Sequence, residues 1–298
     1  MSSPNIEPLF KHITLIGAGL IGSSIARVIK LRKLAENVTV VARSQATLDT
    51  MIDLGLTDNN TLDVVEAVKS ADLIILCTPL GTYKGIAKAI GSALKPGAIV
   101  SDVGSCKKIM FSDVSPFLPD NVHMVPGHPV AGTEHSGPKA GSADLFKNRW
   151  CILTPAPDAN NTAVGQVAEF WQQIGTDVEI MDANHHDQVL ALTSHLPHLI
   201  AYTIVGTATG LEDDLKKEVL KYSASGFRDF TRIASSDPVM WRDIFLKNKD
   251  AVLNVLGRFT EDLNSLQSAI QQEDSDKLED HFSRTRAIRR GIIDAKQE

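Results

Sequence analysis

The chain has 298 residues, of which 43% are hydrophobic and 22% charged, a composition typical of a globular protein with enough apolar material for two modest domains. The net charge of −6 argues against a nucleic acid or an anionic membrane as partner, and no apolar run reaches the roughly 18 residues that a bilayer span requires. Three widely spaced cysteines fit neither a zinc site nor a secreted disulfide framework, which favours a reducing cytoplasm.

The first part of the chain alternates short apolar runs with amphipathic stretches, which predicts βαβ units and a parallel sheet. We predict strands over 11–16, 37–42, 72–77, 98–102 and 123–126. We predict helices over 20–32, 47–54, 61–67, 83–94 and 109–117. Two further strands, over 151–155 and 178–181, with a helix over 164–174 between them, are expected to extend the same sheet.

After residue 182 the pattern is helical throughout. Helical spacing over 185–208 contains Pro197, which should kink or interrupt the helix. Further helices are predicted over 213–222, 238–246, 250–271 and 276–293. We therefore predict an α/β domain with a doubly wound, mostly parallel sheet over residues 1–182, followed by an all-helical domain over 183–298. The helices carry more apolar faces than one domain of this size needs, which suggests a homodimer formed through the helical domain.

A glycine-rich turn, GAGLIG from residue 17, joins the first strand to the first helix. In this position the pattern predicts a Rossmann-like dinucleotide-binding domain, the alternative being a purely structural turn in an unrelated α/β protein. Gly17 would allow the tight turn, Gly19 the approach of the pyrophosphate, and Gly22 the close packing of helix on strand. Leu20 and Ile21 begin the helix, whose N-terminus would face the phosphates.

The second strand bears on the choice of nicotinamide cofactor. Its end carries no acidic residue that could bind the ribose hydroxyls of NAD, and it is followed by Arg43 and Ser44, which could hold the 2′-phosphate of NADP. We predict NADP, with NAD as the alternative if Arg43 is merely exposed and stacks on adenine. Thr78 and Pro79 follow the third strand and are expected at the same cofactor site.

The ends of the later strands carry residues suited to hydride transfer from an alcohol. Ser105 and His128 would both lie near the nicotinamide, and histidine is the side chain best suited to accept the hydroxyl proton near neutral pH. Asp102 is interpreted as a cap or a buried hydrogen-bond acceptor. Lys107 is expected to face solvent or phosphate, and Cys106 to pack in the core.

Two segments of the helical part point to a small acidic substrate. The stretch 226–243 is rich in arginine, the side chain best suited to hold a carboxylate, and includes Arg228 and Arg232. His195 and His198 have the spacing of two metal ligands, but Pro197 breaks the regular helix and no carboxylate follows at ligand distance, so no metal is predicted. We expect one of these two histidines to face the cleft.

These motifs together resemble a known family. They are GAGLIGSS, D-x-x-S-x-K at 102–107, G-H-P-x-A-G-T-E-x-S-G at 127–137, S-H-L-P-H at 194–198 and G-F-R-D-x-T-R-I-A-x-S-D-P-x-M-W-R-D at 226–243. Their order and spacing, from about residue 12 to 248, resemble the prephenate/arogenate (cyclohexadienyl) dehydrogenases of tyrosine biosynthesis. The monofunctional form is the most similar, because the chain shows neither a chorismate mutase segment nor a regulatory domain.

The resemblance implies NAD(P)-dependent oxidative decarboxylation of prephenate or arogenate, giving 4-hydroxyphenylpyruvate or tyrosine. It implies that His128 accepts the hydroxyl proton and that Ser105 hydrogen-bonds the same hydroxyl and helps to set the imidazole. It also implies that Arg232 binds a substrate carboxylate. The other substrate-binding candidates are His198, Trp241, Arg228 and Ser194.

Two other functions remain open from the sequence. A β-hydroxyacid or imine-type NADP dehydrogenase shares the Rossmann domain followed by helices, but it would require a catalytic lysine on the first long helix of the second domain, and the sequence has none between residues 182 and 215. A non-catalytic dinucleotide sensor would bind the cofactor without turnover, and it would have no need of the arginine-rich segment.

Overall fold

The computed structural model describes residues 8–209, 218, 221–222 and 224–294. The helix predicted over 213–222 lies largely outside these described residues. The chain divides into two compact units, the first ending at Lys249 and the second beginning at Asp250. This division by contacts falls elsewhere than the boundary expected at residue 182, which stays a prediction.

A six-stranded parallel sheet organises the first unit, with the strand order β3-β2-β1-β4-β5-β6. The strands are β1 (Phe10–Ile16), β2 (Ala35–Val41), β3 (Asn59–Thr61), β4 (Leu73–Leu76), β5 (Ile99–Asp102) and β6 (His123–Met124). The helices between them are α1 (Leu20–Arg32), α2 (Gln45–Asp53), α3 (Val64–Val68) and α4 (Tyr83–Ile90). The order reverses between β1 and β4, and ligands of such sheets bind in the crevice that this reversal creates.

The sheet is buried on both faces because alternate side chains of its strands enter two separate cores. In β4, Leu73 and Ile75 belong to one core, and Ile74 and Leu76 belong to the other. Helix α1 packs into the first core, and α4 packs into the second. A strand buried on both sides reads as a continuous apolar run, which is why the sequence predicts these strands well.

The strands that follow do not extend the main sheet, so that expectation is wrong. β7 (Gly127–Pro129), β8 (Arg149–Leu153) and β9 (Thr176–Ile180) form a separate three-stranded sheet, with α5 (Asn161–Ile174) between the last two strands. Pairing with β5 continues to Val125, whose N–H donates to Val100. The next residue, Pro126, has no N–H to donate, and the chain then pairs antiparallel with β8.

The helical part of the first unit begins at Asp182, whose carboxylate accepts the backbone N–H groups of Asn184 and His185 and caps α6. The described helices here are α6 (Ala183–Leu190), α7 (Leu196–Thr209), α8 (Ser225–Thr231) and α9 (Pro238–Lys247). A π-helical turn over Ala191–His195 joins α6 to α7. The interruption expected from Pro197 thus takes the form of a widened turn just before the proline, and the helix continues through it.

The second unit contains α10 (Lys249–Gln271, the first residue still in the first unit) and α11 (Ser275–Asp294). Several large apolar side chains on these helices are exposed, namely Leu253, Leu263, Ile270, Phe282 and Ile288. Monomeric proteins seldom expose so much apolar surface without a binding role.

One helical stretch, Ala183–Ala208, meets the length and composition criteria for a membrane span, because its most apolar 18-residue window has a mean hydropathy of 1.4. The expectation that no stretch would do so is therefore wrong, because the few polar residues in it do not lower its mean hydropathy enough. Only 28% of its most apolar window is buried in the protein. Length and composition alone are weak evidence for a span, since an apolar helix at a subunit interface meets the same criteria.

Candidate active site

A cleft of about 580 Å³ lies at the carboxyl ends of β1, β4 and β5, within the first unit. Most of the residues predicted for the site line it: Gly19, Leu20, Ile21, Thr78, Pro79, Ser105, His128, Ser194, His198, Arg232 and Trp241. The predicted residues Gly17, Gly22, Arg43, Ser44 and Arg228 do not line it. One cleft therefore brings together part of the glycine-rich turn, the predicted base and the arginine predicted to bind a carboxylate.

The glycines of the turn have distinct structural roles. Gly17 has φ +113°, and a Cβ there would lie 2.6 Å from the carbonyl oxygen of Cys77. A Cβ on Gly22 would lie 2.1 Å from the carbonyl oxygen of Gly17, so this position must stay bare for α1 to pack on β1. A Cβ on Gly19 would meet no protein atom within 4 Å, so this glycine leaves space at the start of α1 where a phosphate can approach the backbone.

The segment after β2 presents a cation and hydroxyls to solvent. Ser44 is the N-cap of α2, and its Oγ accepts the N–H of Thr47 at 3.3 Å and lies 2.9 Å from Thr47 Oγ1. Arg43 is exposed just before this cap. A cation beside a helix N-terminus is suited to a phosphate, which is the arrangement that the NADP prediction requires.

A buried ion pair joins the loop of Ser105 to the strand of His128. Lys107 Nζ donates to Asp102 Oδ1 at 2.6 Å and to the carbonyl oxygen of Gly127 at 2.6 Å. Asp102 also accepts the N–H groups of Gly104 and Gly127. The interpretation of Asp102 as a buried acceptor is confirmed, whereas Lys107 is completely buried rather than facing solvent or phosphate, because its charge is neutralised by Asp102.

His128 hydrogen-bonds a second histidine, His186. His128 Nδ1 lies 2.8 Å from His186 Nε2, and His186 Nδ1 lies 2.8 Å from Asp187 Oδ1. The two imidazole rings meet edge to face, with centroids 5.0 Å apart. We call this arrangement the His128–His186–Asp187 chain. In the part of the molecule that the structure describes, no hydrogen bond reaches His128 Nε2 and none joins Ser105 to His128, although both residues line the cleft.

Burial keeps the imidazoles of this region neutral. Loss of solvation holds the pKa of His128 well below its usual value, and electrostatic interactions with His186 and Lys107 lower the pKa further. Burial also lowers the pKa of His186, although its hydrogen bond to Asp187 acts in the opposite direction. A neutral imidazole at neutral pH is the form that can accept a proton.

Arg232 reaches the cleft from the first residue after α8. Its side chain is 60% exposed, and its Nη1 lies 3.0 Å from Glu134 Oε2, a carboxylate that also lines the cleft. Arg228 is exposed and does not line the cleft, and Asp243 accepts the N–H of Gly81 and pairs with Arg242. The structure thus places one arginine, Arg232, at the site.

Trp241 and His198 form one wall of the cleft. Their rings stack with centroids 3.7 Å apart and planes at 24°. Trp241 is nearly fully buried in the second core and also lines the cleft, so it is both a core and a site residue. His198 donates from Nδ1 to the carbonyl oxygen of Ser194, whereas His195 is completely buried outside the cleft and burial lowers its pKa to about 4.

Family models divide the chain in two. The nucleotide-binding domain of prephenate dehydrogenase matches residues 25–180, and the dimerization domain of prephenate dehydrogenase matches residues 182–284. The chain belongs to the prephenate dehydrogenase family. The resemblance seen in the motifs is therefore confirmed, as are the Rossmann-like fold with a helical part and the assignment to an oxidoreductase. The family assignment favours neither the β-hydroxyacid or imine-type dehydrogenase nor the non-catalytic sensor.

Members of the prephenate dehydrogenase family resemble the chain over nearly its whole length. Cyclohexadienyl dehydrogenase of Zymomonas mobilis is 43% identical over 94% of this chain and 96% of its own. Prephenate dehydrogenase of Bacillus subtilis is 33% identical over 94% of this chain and 76% of its own. The crystal structure of prephenate dehydrogenase from Aquifex aeolicus, in complex with hydroxyphenyl propionate and NAD⁺, is 32% identical and superimposes with a TM-score of 0.88 over 95% of this chain and 98% of that one.

The sequence analysis did not assign roles to Glu134, His186 or Asp187. Glu134 lies in the same G-H-P motif as His128, but its partner Arg232 is 98 positions away and could not be inferred from spacing. The adjacent pair His186-Asp187 is a usable signal, because a carboxylate beside a histidine often orients it. Only the fold shows that this pair meets His128, 58 positions earlier. Among the described residues, no group of three or more His, Cys, Asp or Glu side chains is arranged to hold a metal ion.

Proposed function

We propose that the chain catalyses the NADP-dependent oxidative decarboxylation of prephenate, and of arogenate, in tyrosine biosynthesis in the cytoplasm. The observation that carries the proposal is the placing of a neutral, buried imidazole, His128, in one cleft with the glycine-rich turn and Arg232. The activities named for the related proteins from Zymomonas mobilis and Bacillus subtilis support the same choice of substrate.

The residues present fit a nicotinamide dinucleotide. The open space at Gly19 and the N-terminus of α1 would hold the pyrophosphate, and Thr78 and Pro79 would line the nicotinamide end. Arg43 and Ser44 would hold the 2′-phosphate, which favours NADP over the NAD⁺ bound by the Aquifex aeolicus relative. When bound, the cofactor accepts the hydride from the substrate ring.

The side chains of the cleft divide the remaining work. His128 accepts the proton of the ring hydroxyl as the hydride leaves the same carbon, and Ser105 hydrogen-bonds that hydroxyl. The bond between the ring and its carboxylate then breaks, carbon dioxide leaves, and its electron pair completes the aromatic ring. Because aromatisation supplies the driving force, the protein contributes mainly orientation and charge placement.

Arg232 is proposed to hold a carboxylate of the substrate, with His198, Trp241 and Ser194 around the side chain and ring. Its guanidinium can exchange Glu134 for the substrate, since both are carboxylates and the arginine is largely exposed. Arg228 lies outside the cleft, so we propose at most a supporting charge for it.

We further propose that two copies of the chain form a homodimer. The exposed apolar side chains of α10 and α11, the apolar stretch Ala183–Ala208 and the match to a dimerization domain support this assembly. Sedimentation velocity tests it directly. A dimer is expected at micromolar concentration, and a monomer at that concentration would contradict the proposal.

The activity is tested by mixing the protein with prephenate or arogenate and NADP or NAD, and following reduced nicotinamide by absorbance. Turnover of prephenate with release of 4-hydroxyphenylpyruvate is the expected result. Cofactor binding without turnover of either substrate would contradict the proposal and favour the sensor. A lower KM for NAD than for NADP would overturn the cofactor assignment alone. The variant Arg43→Gln should raise the KM for NADP and leave that for NAD unchanged.

A further inference from the structure

We propose that His186 and Asp187 are positioning residues that hold His128 in the tautomer whose Nε2 accepts a proton. The inference deepens the proposed function and rests on the role proposed there for His128 as base. It follows from a sequence of hydrogen bonds in which each donor is fixed by the one before it, starting at Asp187.

Asp187 can only accept at both of its carboxylate oxygens. Its Oδ1 accepts the backbone N–H of Lys107 at 2.7 Å, and its Oδ2 accepts the backbone N–H of Lys108 at 3.1 Å. Each oxygen accepts a backbone N–H, and an ionised carboxylate has no hydrogen to donate. The nitrogen of His186 that lies 2.8 Å from Oδ1, Nδ1, must therefore carry a hydrogen.

The tautomer of His128 follows from that of His186. A neutral imidazole carries one N–H, so His186, protonated at Nδ1, presents a lone pair at Nε2. His128 Nδ1, 2.8 Å away, must then be the donor, which leaves the lone pair of His128 on Nε2. This is the ring nitrogen that no described group binds, and His128 lines the cleft. Asp187 thus determines, through His186, which nitrogen of His128 can act as a base.

The surrounding groups keep both imidazoles neutral until His128 accepts a proton. Among the described residues, the ionisable groups that act on the two imidazoles are Lys107, Asp102, His195 from the adjoining π-helical turn, and Asp187 itself. Lys107 is paired with Asp102, and burial of His186 disfavours its charged form. If His186 were protonated, both of its nitrogens would donate and the lone pair of His128 would be drawn to Nδ1, away from its free nitrogen.

Further contacts fix the position of Asp187. The carbonyl oxygen of Asp187 accepts from Asn248 Nδ2 at 2.8 Å, and the same amide group lies 3.2 Å from His195 Nδ1. The carboxylate is held by two backbone N–H groups of the loop that follows Ser105. Because both its backbone carbonyl and its carboxylate are hydrogen-bonded, Asp187 is suited to orienting His186.

The test replaces the acceptor at position 186 and reads the protonation of the His128 ring. His186→Leu removes the acceptor Nε2 and introduces an apolar side chain of similar bulk. His186→Gln offers an amide oxygen in the place of Nε2. The matched control is His185→Leu, one position earlier on α6 and exposed. Folding of each variant is checked by circular dichroism and thermal unfolding.

Nitrogen-15 NMR of histidine-labelled protein without substrate gives the first readout, with His128→Asn used to assign the His128 signals. In the wild type and in His186→Gln, the His128 ring is expected to carry its proton on Nδ1 and none on Nε2. In His186→Leu the proton should shift to Nε2. A wild-type ring protonated at Nε2, or an unchanged ring in His186→Leu, would overturn the proposal whether or not the chain turns over prephenate.

Kinetics give the second readout. His186→Leu should lower kcat at least about tenfold with little change in the KM for prephenate, since a misplaced proton costs part of the 10²–10⁴-fold that a general base contributes. His186→Gln should recover most of the activity, and His185→Leu should match the wild type. An equal loss of kcat in His186→Leu and His186→Gln, with both variants folded, would indicate a structural role for His186 and contradict the proposal. Absence of turnover in the wild type itself would count against the proposed function, while the NMR result would stand.

Discussion

At the residue scale, the proposed site combines a histidine and an arginine that line one cleft. His128 is buried and neutral, and among the described residues it is hydrogen-bonded on one ring nitrogen only. Arg232 is exposed and already paired with a carboxylate, Glu134. The first arrangement suits proton transfer and the second suits exchange of one anion for another. The two residues should therefore affect different kinetic constants.

Replacing His128 by Asn should lower kcat by about 10²–10⁴-fold and leave the KM for prephenate nearly unchanged, because general-base catalysis contributes about that factor. Asn keeps a polar side chain of similar size but cannot accept the proton. Steady-state kinetics with saturating cofactor measure both constants. Wild-type turnover in this variant would show that another group is the base.

Replacing Arg232 by Gln should raise the KM for prephenate about tenfold or more, with a smaller change in kcat. A hydrogen bond to a charged group contributes about 1.5–3 kcal/mol, and the exposure of Arg232 favours the lower end of that range. Arg228→Gln is the matched control, since that side chain lies outside the cleft. If the control raised KM as much as Arg232→Gln, the anion site would have to be reassigned.

At the element scale, periodicity and turn chemistry predicted most of the main sheet. β4 is a continuous apolar run, β1 and β5 are mostly buried, and the predicted end of α1 matches the observed residue. The short strand β3 was not predicted, and its last residue was included in the following helix, because three polar residues carry no periodic signal. The second sheet was missed since the direction of β7 depends on its pairing with β8, more than 20 positions away.

The site was predicted to a similar extent. Residues that belong to local motifs, such as His128 and Ser105, were found because their chemistry is visible in the sequence. Lys107 was misplaced because burial of a lysine depends on a partner, Asp102, whose own environment is set by the fold. The hydrogen bond between His128 and His186 joins β7 to α6, and no pattern within either segment indicates it.

The turn between β1 and α1 offers a test with two neighbouring glycines. Gly19→Ala should keep the thermal stability of the wild type, because its Cβ meets no protein atom within 4 Å, and should weaken dinucleotide binding by occupying the space of the pyrophosphate. Gly22→Ala should lower the temperature of thermal unfolding, since its Cβ would lie 2.1 Å from the carbonyl oxygen of Gly17. Thermal unfolding and cofactor titration by fluorescence measure the two effects. Wild-type cofactor affinity in Gly19→Ala would contradict the assigned site.

At the scale of the whole molecule, three buried histidines make stability depend on pH. Burial lowers the pKa of His128, His186 and His195 below the value of about 6.5 expected in the unfolded chain. Between those values the unfolded chain binds more protons than the folded protein does. Stability is therefore complete above about pH 6.5 and is lost as the pH falls below it.

We expect the free energy of unfolding to fall from pH 7 towards pH 4, by at most about 1.4 kcal/mol per pH unit for each of these histidines. Urea unfolding at a series of pH values measures the slope. His195→Asn should reduce the slope over the range that extends down to about 4, the pKa of His195. His185→Asn, an exposed control, should leave it unchanged. A stability independent of pH over this range would contradict the burial of neutral imidazoles.

The buried pair of Asp102 and Lys107 also limits how this site can change over generations. Removing either partner alone leaves an unpaired charge in the interior. This lowers the free energy of unfolding by about 3–5 kcal/mol, which is a large part of the stability of a typical domain. A single substitution at either position is therefore expected to destabilise the protein strongly. Ser105, which lies between them in the chain, carries no such constraint from the fold. Substitutions of side chains that line the cleft leave this buried pair intact.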